Sequence, residues 1–282
     1  MTAQIAPQTA DGWAMLHQFY ALNWSAIKRL ASGDLSELVA ETVEWLSRHE
    51  NKSDQGQTNL YHVYGHKGDL LFLHYRKDFD LLAQAELEIE RLRIAEYLKP
   101  TTSYLSVVEL GLYYATINTY EELSEMGLEE GSKEWHEEFK KKIAEHKDAV
   151  HSRCYTELPQ REYVCFYPMN KRRGEHKNWY ALPLEQRGEM MMEHGKLGRK
   201  YAGRVQQIIS GSIGFDDWEW GVDLHVDFPN VAKELVYEMR FDEGSALYGE
   251  FGPFYFGKRL KSEALSDYLN FKIPPSKNSS EE

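Results

Sequence analysis

Residues 60–75, LYHVYGHKGDLLFLHY, decide the fold. Leu60–Tyr64 and Leu70–Tyr75 have the apolar and aromatic usage of strands, and Gly65-His66-Lys67-Gly68-Asp69 between them carries the glycines that a tight reversal needs. The segment therefore reads as a β-hairpin. Upstream, Gly12–Asn23 is rich in aromatic and apolar residues and reads as a strand, and Leu35–Arg48 places Leu38, Val39, Val43 and Leu46 at helical spacing. Downstream, Phe79–Tyr97 returns to the helical period and Ser103–Tyr114 reads as another strand. The order is βαββαβ.

The second half repeats that order. A strand at Glu162–Tyr167 precedes a helix from Pro183, at its first position, to about Lys200. Strands near Val205–Ser210 and Trp218–Val226, a helix at Pro229–Glu238 and a strand near Gly249–Phe256 complete it. Asp78-Phe79 and Arg91 recur as Asp227-Phe228 and Arg240, both 149 positions later. Matched order and matched pairs predict an α+β chain of two ferredoxin-like units, each an antiparallel sheet covered by helices on one face, in the manner of a dimeric α+β barrel. The units span 1–118 and 158–273. The intervening 119–157 is strongly charged and poor in apolar residues, which predicts a solvated helical linker, or else a mobile flap over a pocket. The tail 274–282, with two prolines and a terminal Glu pair, is expected to be disordered.

The 282-residue chain carries 45 acidic and 33 basic residues, and its net charge of -12 repels phosphate backbones, so nucleic acid is not an expected partner. No run approaches the roughly 20 apolar residues that span a bilayer, and Met1–Ala10 lacks both a basic and an apolar leader region. A soluble cytoplasmic protein is expected. Cys154 and Cys165 are too few for a disulfide framework and too far apart for a C-x-x-C site, so both should be buried free thiols.

No Walker loop, dinucleotide-binding glycine pattern, H-E-x-x-H pair or G-x-S-x-G elbow occurs, so the site must come from less conventional residues. His194 shares a helical face with Met190, Met191, Leu197 and Tyr201, where a histidine is either a packed core residue or a ligand. Gly195 and Gly198 each cost a helix about 1 kcal/mol relative to Ala. They either end the helix or clear space beside the imidazole for something large and flat. A lone histidine amid Met and Leu suits haem iron better than zinc, which takes three or four protein ligands. Tyr167-Pro168-Met169-Asn170-Lys171 closes the preceding strand, and one of Gln206-Gln207 must face inward by the period of two.

These pieces together resemble the coproheme decarboxylases of the chlorite dismutase-like family. The resemblance rests on Tyr167–Lys171, Glu193–Gly203, Gln206-Gln207 with Gly211–Asp217, and Tyr237–Asp242, and covers the second half in detail and the first half in element order and length. It implies a homopentamer of two-unit subunits that converts Fe-coproporphyrin III (coproheme) to haem b with hydrogen peroxide, and transient contact with a coproporphyrin ferrochelatase. It implies His194 as the proximal iron ligand, Tyr167 as the residue that becomes the oxidising radical, and Lys171 as the lysine that handles a propionate. Arg153 and Ser245 match propionate contacts, and Pro168, Met169, Asn170, Gln207 and Arg240 fall among the porphyrin-binding positions. Gln207, thirteen residues after His194, stands where chlorite-decomposing members have an arginine. That departure favours decarboxylation over a chlorite dismutase or general haem peroxidase. A non-catalytic haem carrier would have no use for Tyr167 and Lys171. Glu243 is a candidate partner for the proximal histidine.

Overall fold

The computed structural model describes residues 5–273, so the tail at 274–282 lies outside the described residues. In chain order the elements are β1 (Thr9–Leu22), α1 (Trp24–Ile27), α2 (Ser32–His49), β2 (Gly56–Val63), β3 (Leu70–Arg76), α3 (Phe79–Arg91) and β4 (Leu98–Gly111). Next come α4 (Tyr113–Glu125), α5 (Lys133–Cys154), β5 (Tyr163–Lys171), α6 (Leu184–Arg199), β6 (Val205–Gly211) and β7 (Trp220–Val226). The chain closes with α7 (Pro229–Met239), α8 (Glu243–Tyr248), β8 (Gly249–Phe251), β9 (Tyr255–Arg259) and α9 (Leu265–Leu269).

The hairpin forms as its sequence dictates: Leu60 pairs with Phe72, and Gly65 takes φ +83°, a backbone state that side-chain-bearing residues rarely adopt. In the first unit the strands lie in the order β4-β1-β3-β2, and in the second β9-β5-β7-β6, so both place their fourth, first, third and second strands side by side. The two sheets are not separate. β4 pairs with β6 and β2 with β9, which closes the ladder into one antiparallel barrel. Closure leaves only β8 as an added strand on the edge of β5.

Alternation along the strands sends one set of side chains into the barrel and the other onto its outer face. Trp13, Met15, Phe19, Tyr61, Leu73 and Phe166 fill the inside. Outside, α2 and α3 cover the first unit through Trp45, Leu46 and Ile89, while α7 covers the second through Val231, Leu235 and Met239. The repeat slips at one point: Asp78 caps α3 by accepting from Leu81 N at 2.9 Å, whereas Asp227 pairs with Arg161 and Phe228 stands at the start of α7.

Several boundaries move for local reasons. Leu92 is extended, so the helix expected to reach Tyr97 ends at Arg91 and a 3-10 turn, Arg93–Tyr97, follows. The strand expected to run to Tyr114 stops at Gly111. The strand expected across 249–256 breaks at Gly252-Pro253 into β8 and β9, because Pro253 has no N–H to give a ladder. Pro183 precedes α6 as its cap rather than opening it.

The segment 119–157 is largely helical and charged, as expected, but one face of it is packed rather than solvated. α4 and α5 pack against each other, with Trp135 buried between Tyr120 and Phe139 at ring-centroid distances of 5.1 and 4.8 Å. Ile117 of α4 touches α6 beside Gly188, where a Cβ would sit 3.2 Å from its Cδ1. Cys154 at the end of α5 is fixed against Ala10, and both cysteines are free and buried.

Candidate porphyrin-iron site

α6 carries His194 along the outer face of the second unit. Its Nδ1 lies 3.0 Å from Asp242 Oδ2 and 3.5 Å from Ser245 Oγ. Asp242 stands at the N-cap of α8, and its other oxygen, Oδ1, accepts from Ser245 N at 3.0 Å. One carboxylate thus caps a helix and orients an imidazole. Burial works against its charge, but the hydrogen bonds from His194 and Ser245 outweigh that and hold the carboxyl below its usual range. With Nδ1 engaged as donor, the lone pair sits on Nε2, the arrangement that makes a neutral imidazole an effective iron ligand. No hydrogen-bond partner among the described residues occupies Nε2, and the side chain is 26% exposed. Glu243, the partner expected from sequence, is exposed in the first turn of α8. The acid hydrogen-bonded to His194 is its neighbour, Asp242.

Gly198 explains itself by packing, since a Cβ there would lie 3.3 Å from Met239 Cε of α7 and 3.8 Å from Gln207 Oε1. It lets α6 approach both the neighbouring helix and β6. Gly195 borders only Arg199, at 3.6 Å, and leaves the turn beside His194 unobstructed. α6 runs on to Arg199, so neither glycine ends it.

β5 presents Tyr167, Met169 and Lys171 on the face shared with α7, whereas Pro168 and Asn170 point the other way by strand alternation. Asn170 is used structurally, its Oδ1 accepting from Glu219 N at 2.9 Å. Tyr167 stacks on Phe254 at 4.5 Å, and burial pushes its phenol pKa well up. Arg240, at the end of α7, lies 5.0 Å over Phe251 and lends positive potential to Tyr167. Lys171 is buried. Its Nζ donates to Gly244 O at 3.3 Å and sits 4.3 Å over the Trp179 ring, and burial lowers its pKa to about 8 against the pull of Asp242 and Glu219.

His194, Asp242, Ser245, Lys171 and Gly244 therefore form one connected group, with Tyr167 and Arg240 farther along the same face. Ser245 faces the imidazole. Arg153 is exposed in the last turn of α5, and no hydrogen bond or ion pair with a described residue joins it to this group. Sequence does not announce the role of Asp242 beside His194; its one signal there is the Asp-x-x-Ser spacing of a helix N-cap at 242–245.

A porphyrin iron fits these residues. One imidazole with an unencumbered nitrogen, held by a carboxylate, suffices as an axial ligand. Among the described residues no group of three or more His, Cys, Asp or Glu side chains is placed to hold a bare metal ion. None of the helices searched is long and apolar enough to cross a membrane.

The chlorite dismutase family model matches residues 35–260. A coproheme decarboxylase of Staphylococcus saprophyticus is 42% identical over 264 residues, covering 93% of this chain and 97% of that one. A putative heme-binding protein of Haloquadratum walsbyi is 40% identical over 95% of this chain, which spans 48% of that longer protein. Among solved structures, a heme-binding protein from Thermus thermophilus superposes with a TM-score of 0.76 at 41% identity, covering 94% of this chain and 98% of that one. A chlorite dismutase from Candidatus Nitrospira defluvii shares the fold at a TM-score of 0.67 with 18% identity, over 92% of this chain and 96% of that one. The fold, the family match and the extent of these identities agree: the chain belongs to the chlorite dismutase family.

Proposed function

We propose that the chain is a coproheme decarboxylase that uses hydrogen peroxide to turn two propionates of Fe-coproporphyrin III into vinyls, yielding haem b. The observation that carries this reading is the His194–Asp242 pair. It leaves Nε2 as a lone ligand on the unit whose face also bears Tyr167, Gln207 and Lys171. The 42% identity to the staphylococcal enzyme over nearly the whole of both chains supports it. A homopentamer, a cytoplasmic location and transient contact with a ferrochelatase belong to the same reading.

For each propionate, –CH2CH2COO⁻ plus H2O2 plus H⁺ gives –CH=CH2, CO2 and two waters. The substrate's own iron supplies the centre at which peroxide is reduced. His194 would hold that iron through Nε2, and Asp242, accepting from Nδ1, fixes the tautomer and orients the ring. Tyr167 would give up its phenolic hydrogen atom to the peroxide-oxidised substrate and recover one from the propionate carbon beside the ring. The second electron would return to that substrate as the C–C bond to the carboxylate breaks, CO2 leaves and the vinyl forms, which uses both oxidising equivalents of one peroxide. Lys171, with an ammonium proton loosened by burial, holds the carboxylate and can supply the single proton the equation requires. Gln207 is neutral where chlorite-decomposing relatives place an arginine, so it offers no fixed cation to retain a chlorine oxyanion.

Mass spectrometry of the porphyrin after peroxide addition tests this. The protein should remove CO2 and two hydrogens at each of two propionates. Tyr167→Phe should bind coproheme within about tenfold of the parent, since one hydroxyl contact is worth about 0.5–1.5 kcal/mol, yet nearly stop decarboxylation. Parent-rate product from the variant would reduce Tyr167 to a packed aromatic, and no product from the parent would leave a haem carrier.

A further inference from the structure

The outer face of the first unit holds its own cleft, outside the site above. It has a volume of about 390 Å³, within the range of small-ligand sites, and is lined by Trp45, Arg48 and His49 of α2, Glu88 and Arg91 of α3, and Leu92. Arg76 of β3 lies behind it. That guanidinium is only 5% exposed and donates to Gln57 O at 2.8 Å, Tyr75 O at 2.7 Å and Thr58 Oγ1 at 2.9 Å, all of them neutral acceptors.

Among the described residues no carboxylate makes an ion pair with Arg48, Arg76 or Arg91. The acid on the floor is Glu88, already engaged by Trp45 Nε1 at 2.9 Å, Gln84 Nε2 at 3.0 Å and His49 Nε2 at 3.5 Å. His49 in turn is tied to Trp45 O through Nδ1 at 2.7 Å. Glu86 and Glu90 face elsewhere, toward Gln18 and Tyr20. Arg48 and Arg91 therefore line the cleft without an ion pair among the described residues, while Glu88 serves Arg76 and His49, in a chain whose net charge is -12. Glu88 gives the buried Arg76 a nearby opposite charge, which leaves Arg48 and Arg91 as the cations of the cleft with no carboxylate paired to them among the described residues. Arginine at the rim supplies a planar pair of donors matched to a carboxylate or a phosphate.

We propose that this cleft binds a small oxyanion, a carboxylate or a phosphate, held by Arg48 and Arg91. Leu92 gives its organic part an apolar wall. The proposal stands independently of the decarboxylase reading, because no residue is shared between the two sites.

Isothermal titration calorimetry of the full chain with inorganic phosphate and with succinate, at ionic strength fixed with sodium chloride, tests it. Saturable binding in the millimolar range or tighter is expected for at least one probe, and the tighter probe identifies the anion class. Arg48→Gln and Arg91→Gln, both surface changes that leave Arg76 in place, should each weaken it at least tenfold. Lys171→Met should leave it unchanged. No saturable heat from either probe, binding that survives both arginine substitutions, or binding lost in Lys171→Met, which would place the anion at the porphyrin site, each overturns the proposal.

Discussion

Lys171 shows what a buried charge costs and what it can be kept for. In the native chain its pKa falls to about 8, because burial penalises the ammonium more than Asp242 and Glu219 support it. In the unfolded chain it returns to the ordinary value of about 10.5. Between those two values the unfolded state holds more protons, so stability rises with pH there. The gain is complete above the upper value and gone below the lower one. Unfolding in urea at pH 7 and pH 9.5 should show the chain more stable at pH 9.5 than Lys171→Met predicts, while Lys171→Met itself is the more stable protein at pH 7. Equal pH responses in parent and variant would mean the ammonium is not the group that pays. A carboxylate bound at Nζ reverses the preference, so coproheme affinity should fall as pH rises through about 8. Sequence exposed Lys171 and His194 through their neighbours, but not Asp242. An aspartate before a short helix looks like a cap, and here it is one, so its second role emerges only where α8 folds back beside α6.

Elements with one continuous period were legible, and those whose apolar residues are dispersed were not. The β2–β3 hairpin and α2 sit within a few residues of their expected bounds because a strand or helix face is written in consecutive repeats. α4 and α5 hide theirs: Ile117, Tyr120, Leu123, Trp135, Phe139 and Ile143 are spread among charges, and only packing one helix on the other reveals a common seam. Trp135 distinguishes the two readings. In a solvated linker its truncation would cost no more than about 0.5 kcal/mol, as surface changes do. Buried as it is, at 6% exposure, Trp135→Ala should cost about 3–5 kcal/mol by denaturant unfolding. A value near zero would return the segment to solvent.

At the scale of the molecule, the two ferredoxin-like units and their joining in the manner of a dimeric α+β barrel were expected, but strand order does not say which sheet edges meet, and these are β4 with β6 and β2 with β9. The barrel's interior records the join. His17 of β1, in the first unit, lies 2.9 Å from Asp223 Oδ1 of β7, in the second, with both side chains fully buried. Its ring stacks on Phe166 of β5 at 4.0 Å. A buried pair of this kind contributes little net stability over an apolar pair of similar shape, yet breaking it by removing one partner costs about 3–5 kcal/mol, since the other polar group is left without compensation. Asp223→Leu should therefore destabilise the chain by that amount. His17→Phe in the same background should recover part of the loss, with a coupling of about 0.5–3 kcal/mol, as expected for residues in direct contact. The measurement is a double-mutant cycle by urea unfolding, followed by near-UV circular dichroism to report the tertiary packing of both units. Strictly additive losses would mean that the pair contributes no coupling. The barrel would then be joined by its β4–β6 and β2–β9 ladders, its aromatic core and other cross-unit hydrogen bonds, such as that from Tyr104 Oη to Ser212 Oγ at 2.7 Å.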